Sequence, residues 1–242
     1  MLEKTFENIG RTAGQTFLRG KWIVKTLSSS DVDSARAEYS LGKSIVREIR
    51  LESNIIEANK HYNEILAKLK ARVKKEFLIF QVFIINSDEP NAFALPGGFI
   101  FITSSLHKII KNKPDYIAFI LAHEMFHVIR GHAFKKIITD FSVKSISKLL
   151  SSTSILKEIS KRVLSDYFIM SYSRDNEFEA DKGAIILMSS AGYSPIESKN
   201  LLINISGNRT ESVLKFLSSH PSLNDRTARI DSIMKNLRSR KG

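Results

Sequence analysis

The sequence predicts an α+β fold, mainly α-helical, with a small β-sheet packed near one central helix. Three observations predict it. Apolar residues recur at helical spacing over much of the chain, as in Leu41, Ile45 and Ile49 and then Ile56, Tyr62, Ile65 and Leu69. Between Phe77 and Thr103 the period changes, and FLIFQVFII and FIFIT are short runs rich in Phe, Ile and Val, as buried strands are. Residues Tyr116 to Ile129 are apolar or aromatic at every position except His123, Glu124 and His127, the composition of a helix buried on all sides.

Taken in order, residues 1–26 are expected to form a helix with Phe6, Ile9, Phe17 and Ile23 as its contacts, ended by the polar stretch Ser28 to Asp33. Two helical segments follow, near 32–50 and 53–76, with heavily charged outer faces. Residues 1–75 thus read as a helical segment packed on a core of residues 76–242, the two making a single unit. A strand starts at Phe77, NSDEPN is a loop, and a second strand runs Phe99 to Thr103. Before it, Leu95-Pro96-Gly97-Gly98 is a tight turn whose glycines allow positive φ. Leu106 to Lys111 is a short helix, Pro114-Asp115 opens the central helix, and Gly131 ends it. Residues 133–171 are amphipathic and rich in Ser and Lys. They read as a lid, as a docking surface for membrane or partner, or as an ordinary amphipathic helix pair. Another helix occupies much of 173–195 and stops at Gly192; Ser194-Pro195-Ile196-Glu197 opens the next.

With 43% hydrophobic residues among 242, the chain can bury a sizeable core. It has no apolar run of about 18 residues, so no transmembrane helix is expected. The first twenty residues lack the apolar centre of a signal peptide. The expected compartment is therefore the cytoplasm, or the periplasm or a membrane surface if a leader has been removed. The absence of cysteine excludes disulfides, thiolate metal ligands and a thiol nucleophile. A net charge of +12 attracts anionic partners. Lys and Arg are spread along the chain without interleaved aromatics, however, so a solvated basic surface is expected, with no specific nucleic-acid partner and at most peripheral contact with membrane.

The chemistry concentrates on LAHEMFHVIRGH, residues 121–132. Polar groups on a buried helix must be paired or bound to a metal, because burying them bare costs several kcal/mol. His123 and His127 lie on one helical face, about 6 Å apart along the axis, so both rings can turn to a single ion. This is the HExxH pattern of a zinc hydrolase site, in which Glu124 is placed to move a proton as general base and then general acid. On the same helical wheel His132 points about 140° away from His127 and takes a structural role. Further on, Glu177 and Asp181 are four apart, with Ala180 and Ala184 on the same small-residue side. Glu177 can complete a His-His-Glu site, and Asp181 can accept a hydrogen bond from a ligating imidazole.

HEMFH followed about fifty residues later by EFEAD, with NAFALPGGFIFIT before and SHPSLNDR after, resembles the M48 family of zinc metallopeptidases over about residues 76–230. The resemblance implies a gluzincin with a zincin-like metalloprotease core: a small β-sheet whose edge strand lies beside the HExxH helix. It implies one Zn2+ on His123, His127 and Glu177, with Glu124 as catalytic base. It also implies an extended peptide bound along the edge strand, here the NAFALPGG segment and the strand at 99–103, through Asn91, Ala92, Phe93, Ala94, Gly97, Gly98 and Phe99. His220, in a His-Pro segment, is then the candidate for stabilising the oxyanion, and Arg226 orients that segment by an ion pair with Asp181. One departure is Ser104-Ser105, where relatives often carry glycine. The expected function is zinc-dependent cleavage of extended or unfolded proteins in protein quality control. The alternative is a chaperone or assembly factor with latent proteolysis.

Overall fold

The computed structural model describes residues 31–75, 77–141, 152–166, 172–207 and 223–239. The expected helix at 1–26 and the residues His220 and Pro221 lie outside them. Helix α1 runs Asp31–Glu52, followed by strand β1 (Ile55–Glu57), helix α2 (Lys60–Lys70), strands β2 (Gln81–Ile85), β3 (Ala92–Leu95) and β4 (Phe99–Thr103), then helices α3 (Ser104–Ile110), α4 (Pro114–Ile129), α5 (His132–Asp140), α6 (Thr153–Asp166), α7 (Arg174–Ser190), α8 (Ile196–Gly207) and α9 (Leu223–Ser239).

The four strands form one sheet in the order β1-β2-β4-β3, antiparallel except for the parallel pair β2 and β4. Alternate side chains point to opposite faces. Val82, Ile84, Ala92, Ala94, Ile100 and Ile102 pack into one apolar cluster with α2, α4, α7, α8 and α9. Phe83, Ile85, Phe93, Leu95, Phe99 and Phe101 pack into a second cluster with α1, α5 and α6. Helices therefore cover both faces, and this is why β2 and β4 carry continuous apolar runs instead of an alternating pattern.

Three sequence expectations change. The segment expected to be helical over 53–76 contains β1 and then a shorter helix, because Asn59 caps α2 by accepting a hydrogen bond from the Tyr62 amide. The strand expected from Phe77 begins only at Gln81: Gly98 sits against Ile79 O so closely that a Cβ there would come within 1.9 Å, and the chain before Gln81 does not pair. Among the described strands β4 is interior and β3 is the last of the order. Helix α1 packs Leu41, Ile45 and Ile49 into the second cluster, and α2 packs Ile65 and Leu69 into the first. Within 133–171, the described helix α6 buries Leu156, Ile159 and Val163 in the second cluster that α1 also fills.

Helix α1 presses on the Leu95-to-Gly98 turn. A Cβ on Gly42 would lie 1.9 Å from Pro96 O, and one on Gly97, whose φ is +80°, would lie 2.3 Å from Tyr39 Cα. The Tyr39 ring stacks on Phe99 at 5.3 Å. Also on α1, Glu38 faces Gly131 at the other end of α4. Burial pushes the Glu38 carboxyl up from its ordinary 4.5 to about 7, with Lys75 and Lys135 pulling the other way. The folded chain therefore binds more protons than the unfolded chain between those two pH values, and stability falls as pH rises through them. We expect urea unfolding to show the parent losing up to about 3 kcal/mol more than Glu38→Gln between pH 4.5 and pH 8. Parallel losses in the two proteins would mean that Glu38 titrates normally.

Candidate metal centre

Helix α4 starts with Pro114 in its first turn, and the Asp115 carboxylate accepts a hydrogen bond from the Ser194 amide at 2.7 Å, tying this end to the turn between α7 and α8. From Tyr116 to Val128 every side chain except Phe126 is buried. Gly131, at φ +68°, ends the helix. The i, i+4 spacing brings the His123 and His127 Nε2 atoms to 3.1 Å from one another. Helix α7, capped by the Ser173 hydroxyl on the Asn176 amide, supplies the opposing face. Its small residues let it come close: at Gly183 the tip of the Phe126 ring occupies the space a Cβ would need.

Glu177 places Oε2 3.5 Å from His123 Nε2 and Oε1 3.4 Å from His127 Nε2. One turn on, Asp181 Oδ1 stands 3.0 Å from His123 Nδ1, the nitrogen turned away from that cluster. Arg226, reaching in from α9, donates Nε and Nη2 to the two Asp181 oxygens, both at 2.7 Å, and places Nη1 3.4 Å from Glu177 Oε2. All of these side chains are buried, and so is Glu124. Burial pushes the Asp181 carboxyl up, but the Arg226 charge and the His123 and Arg226 hydrogen bonds outweigh it and hold it at about 2. Burial pulls the His123 imidazole down, and its contacts with Asp181 and Glu177 carry it back up to about 9.

Three buried carboxylates, Glu124, Glu177 and Asp181, lie around the buried Arg226 guanidinium. Among the described residues His123, His127 and Glu177 are the group whose ligand atoms all lie within 4.8 Å of one another, and two imidazole nitrogens with a carboxylate oxygen are a donor set that suits a divalent cation such as zinc. The structure thus brings together every described residue expected at the metal site. It places the expected peptide-contact residues less uniformly. Ala92–Leu95, with Asn91 before them, form the last strand in the order of the described sheet, whereas Gly97, Gly98 and Phe99 are engaged by α1 and by residues 79–80. Of the Ser104-Ser105 pair, the Ser104 hydroxyl donates to Ser87 O at 2.9 Å and closes the loop after β2.

Sequence reasoning missed a second group beside His127. His132 Nδ1 stands 3.0 Å from His127 Nδ1, and His132 Nε2 3.3 Å from Glu179 Oε2. Arg130 holds the other Glu179 oxygen. The helical wheel fails at His132 because Gly131 breaks the helix and the chain turns back. The Tyr172 ring lies flat on His127, centroids 3.9 Å apart at 15°, and its buried hydroxyl has no hydrogen-bond partner among the described residues. Burial, and then the charges of Glu124 and Glu177, push that hydroxyl's pKa well above its ordinary range, so it stays protonated.

Fold and site together define a metal-dependent hydrolase class of the HExxH type, with a glutamate from a second helix completing the ligand set. Residues 57–234 match the model of peptidase family M48, and the chain belongs to that family. Mitochondrial metalloendopeptidase OMA1 of Schizosaccharomyces pombe is 29% identical over 174 residues, covering 71% of this chain and 51% of the relative. The Saccharomyces cerevisiae protein of the same name is 32% identical over 164 residues, covering 64% and 46%. The beta-barrel assembly-enhancing protease of Escherichia coli is 24% identical over 205 residues, covering 79% and 39%. The chain spans about half the length of the OMA1 relatives.

Removing the guanidinium leaves two carboxylates buried beside one another without their counter-charge. Arg226→Leu is expected to cost the metal-free protein about 3–5 kcal/mol in urea unfolding, as loss of one partner of a buried pair does. A cost below about 1 kcal/mol would show that water reaches this side of the site.

Proposed function

We propose that this chain is a zinc-dependent endopeptidase that hydrolyses peptide bonds in extended or unfolded proteins, in a protein quality-control role. The observation that carries the reading is the convergence of His123 Nε2, His127 Nε2 and Glu177 at 3.1, 3.4 and 3.5 Å from one another. Donors at about 2.0–2.1 Å from a tetrahedral zinc ion stand about 3.3 Å apart, so two nitrogens and one carboxylate at this spacing suit zinc with a fourth position left for chemistry. Zinc, when bound, supplies a Lewis acid that lowers the pKa of a water from about 15.7 towards about 7.

The chain's own residues do the rest. Glu124, next to His123 and buried, takes the proton from the attacking water and delivers it to the leaving amine. Asp181 orients His123 through Nδ1, and Arg226 keeps Asp181 ionised for that task. Strand β3 packs beside α4, and it is the resemblance to the family's edge strand that puts an extended peptide along Ala92–Ala94 in this proposal. His220 remains the proposed oxyanion donor. The relative named for both assembly and proteolysis supports carrying a second reading, a chaperone that holds clients in the same cleft.

Cleavage of casein by the purified chain and by Glu124→Gln, with zinc content measured in both, tests this. We expect equal zinc content and a rate lower in the variant by about 10²–10⁴-fold. Equal rates would remove Glu124 from the base role. Zinc in both proteins with cleavage by neither, together with client binding that survives Glu124→Gln, would favour the chaperone reading.

A further inference from the structure

A ligating imidazole must present a lone pair to its ion, so the proton it keeps has to sit on the other ring nitrogen. For His123 that other nitrogen faces the Asp181 carboxylate, which can only accept a hydrogen bond and so holds the proton there. For His127 it faces another imidazole, His132, Nδ1 to Nδ1 at 3.0 Å. Two histidines in contact do not by themselves say which one donates. The far end of the chain decides.

His132 Nε2 stands 3.3 Å from Glu179 Oε2, and Arg130 holds Glu179 Oε1. Glu179, as a carboxylate, accepts; His132 Nε2 therefore donates, and with one proton on the ring His132 Nδ1 is left as an acceptor. His127 Nδ1 must then donate to it, and His127 Nε2, which faces Glu177 and His123, is left with its lone pair exposed to the metal position. The Tyr172 ring, stacked 3.9 Å from His127, fixes the plane in which that lone pair lies. His132 is not a ligand of the same ion, because it meets His127 on the opposite ring nitrogen.

We propose that His132, anchored through Glu179 and Arg130, is a positioning residue that holds His127 in the one tautomer able to take the metal. The chain Arg130, Glu179, His132, His127 does for the second imidazole what Arg226 and Asp181 do for the first, and it starts from a half-exposed carboxylate where the other starts from a buried one. The proposal rests on His127 being a metal ligand.

The test is the zinc dissociation constant, measured by competition with a chromogenic chelator at one pH, for the parent, His132→Ala, His132→Asn, Glu179→Ala and Lys136→Ala, with the melting temperature of each metal-free protein. Outer partners of metal-bound histidines are worth about 10–100-fold in affinity. His132→Ala is expected to fall in that range. Asn places its side-chain oxygen where His132 Nδ1 stood, so His132→Asn should recover most of the loss, which a purely structural role for the ring would not produce. Glu179 is 37% exposed, so Glu179→Ala should leave the metal-free melting temperature near the parent's while still weakening zinc several-fold. Lys136→Ala, a change on α5 outside the chain of contacts, should match the parent. Parent-like affinity in both His132→Ala and Glu179→Ala would overturn the proposal, as would His132→Asn binding no better than His132→Ala. If the parent itself took up no zinc, the metal reading of the site would fall, and this proposal with it.

Discussion

Helix α4 is apolar all round yet carries two imidazoles and a carboxylate in its middle, and most of the structure around it answers that constraint. Groups of this kind cannot be left bare in a core, so α7 must come with Glu177 and Asp181, and those charges in turn require Arg226 from α9. The bidentate pair between Arg226 and Asp181 joins α9 to α7, and the contact of Asp181 with His123 joins both to α4. Such a pair is a poor source of net stability, because the desolvation of both ions offsets their attraction. What it supplies is definition: the pair fixes how α9 meets α7, and Asp181 in turn meets His123 of α4.

Stability comes from the two apolar clusters on either face of the sheet, and the site borrows their rigidity. The candidate ligands project from helices whose other faces are packed, and β3 is fixed by β4 on one side and by the grip of α1 on its turn. Gly42 against Pro96 and Gly97 against Tyr39 are contacts that allow no side chain, so α1 sets where the hairpin sits. A reaction that depends on positions held to fractions of an ångström benefits from such a frame. The first described helix of the chain, which carries no chemistry of its own, takes part in the site in this indirect way.

Much of this was legible in the order of residues. The period of α4, the HExxH spacing within it, the acidic pair four apart and the strand at 99–103 are local patterns, and local patterns survive without knowledge of the fold. The acidic pair reads as part of the site because Glu177 and Asp181 share a helix with alanines that promise close approach. His132 was misplaced for a specific reason: a helical wheel assumes a continuing helix, and Gly131 at φ +68° resets the direction. Glu179 and Arg130 carry no signal, since charged residues at helix ends are ordinarily solvated. Tyr172 looks like any residue ahead of an N-cap serine. The sequence of β1 reads as helix because three residues are too few to show a period, and its strand character comes from pairing with β2.

The sequence by itself determined the HExxH helix, its partner acidic helix, the strand at 99–103 and the family, because each rests on contacts within a few residues or on a motif with fixed spacing. Tertiary structure alone decided the order of the described strands, that α1 grips the β3–β4 turn, and that a second chain of contacts runs from Arg130 to His127. Those features depend on groups brought together from separate elements, and that convergence is set by how the two apolar clusters close, which no stretch of sequence contains.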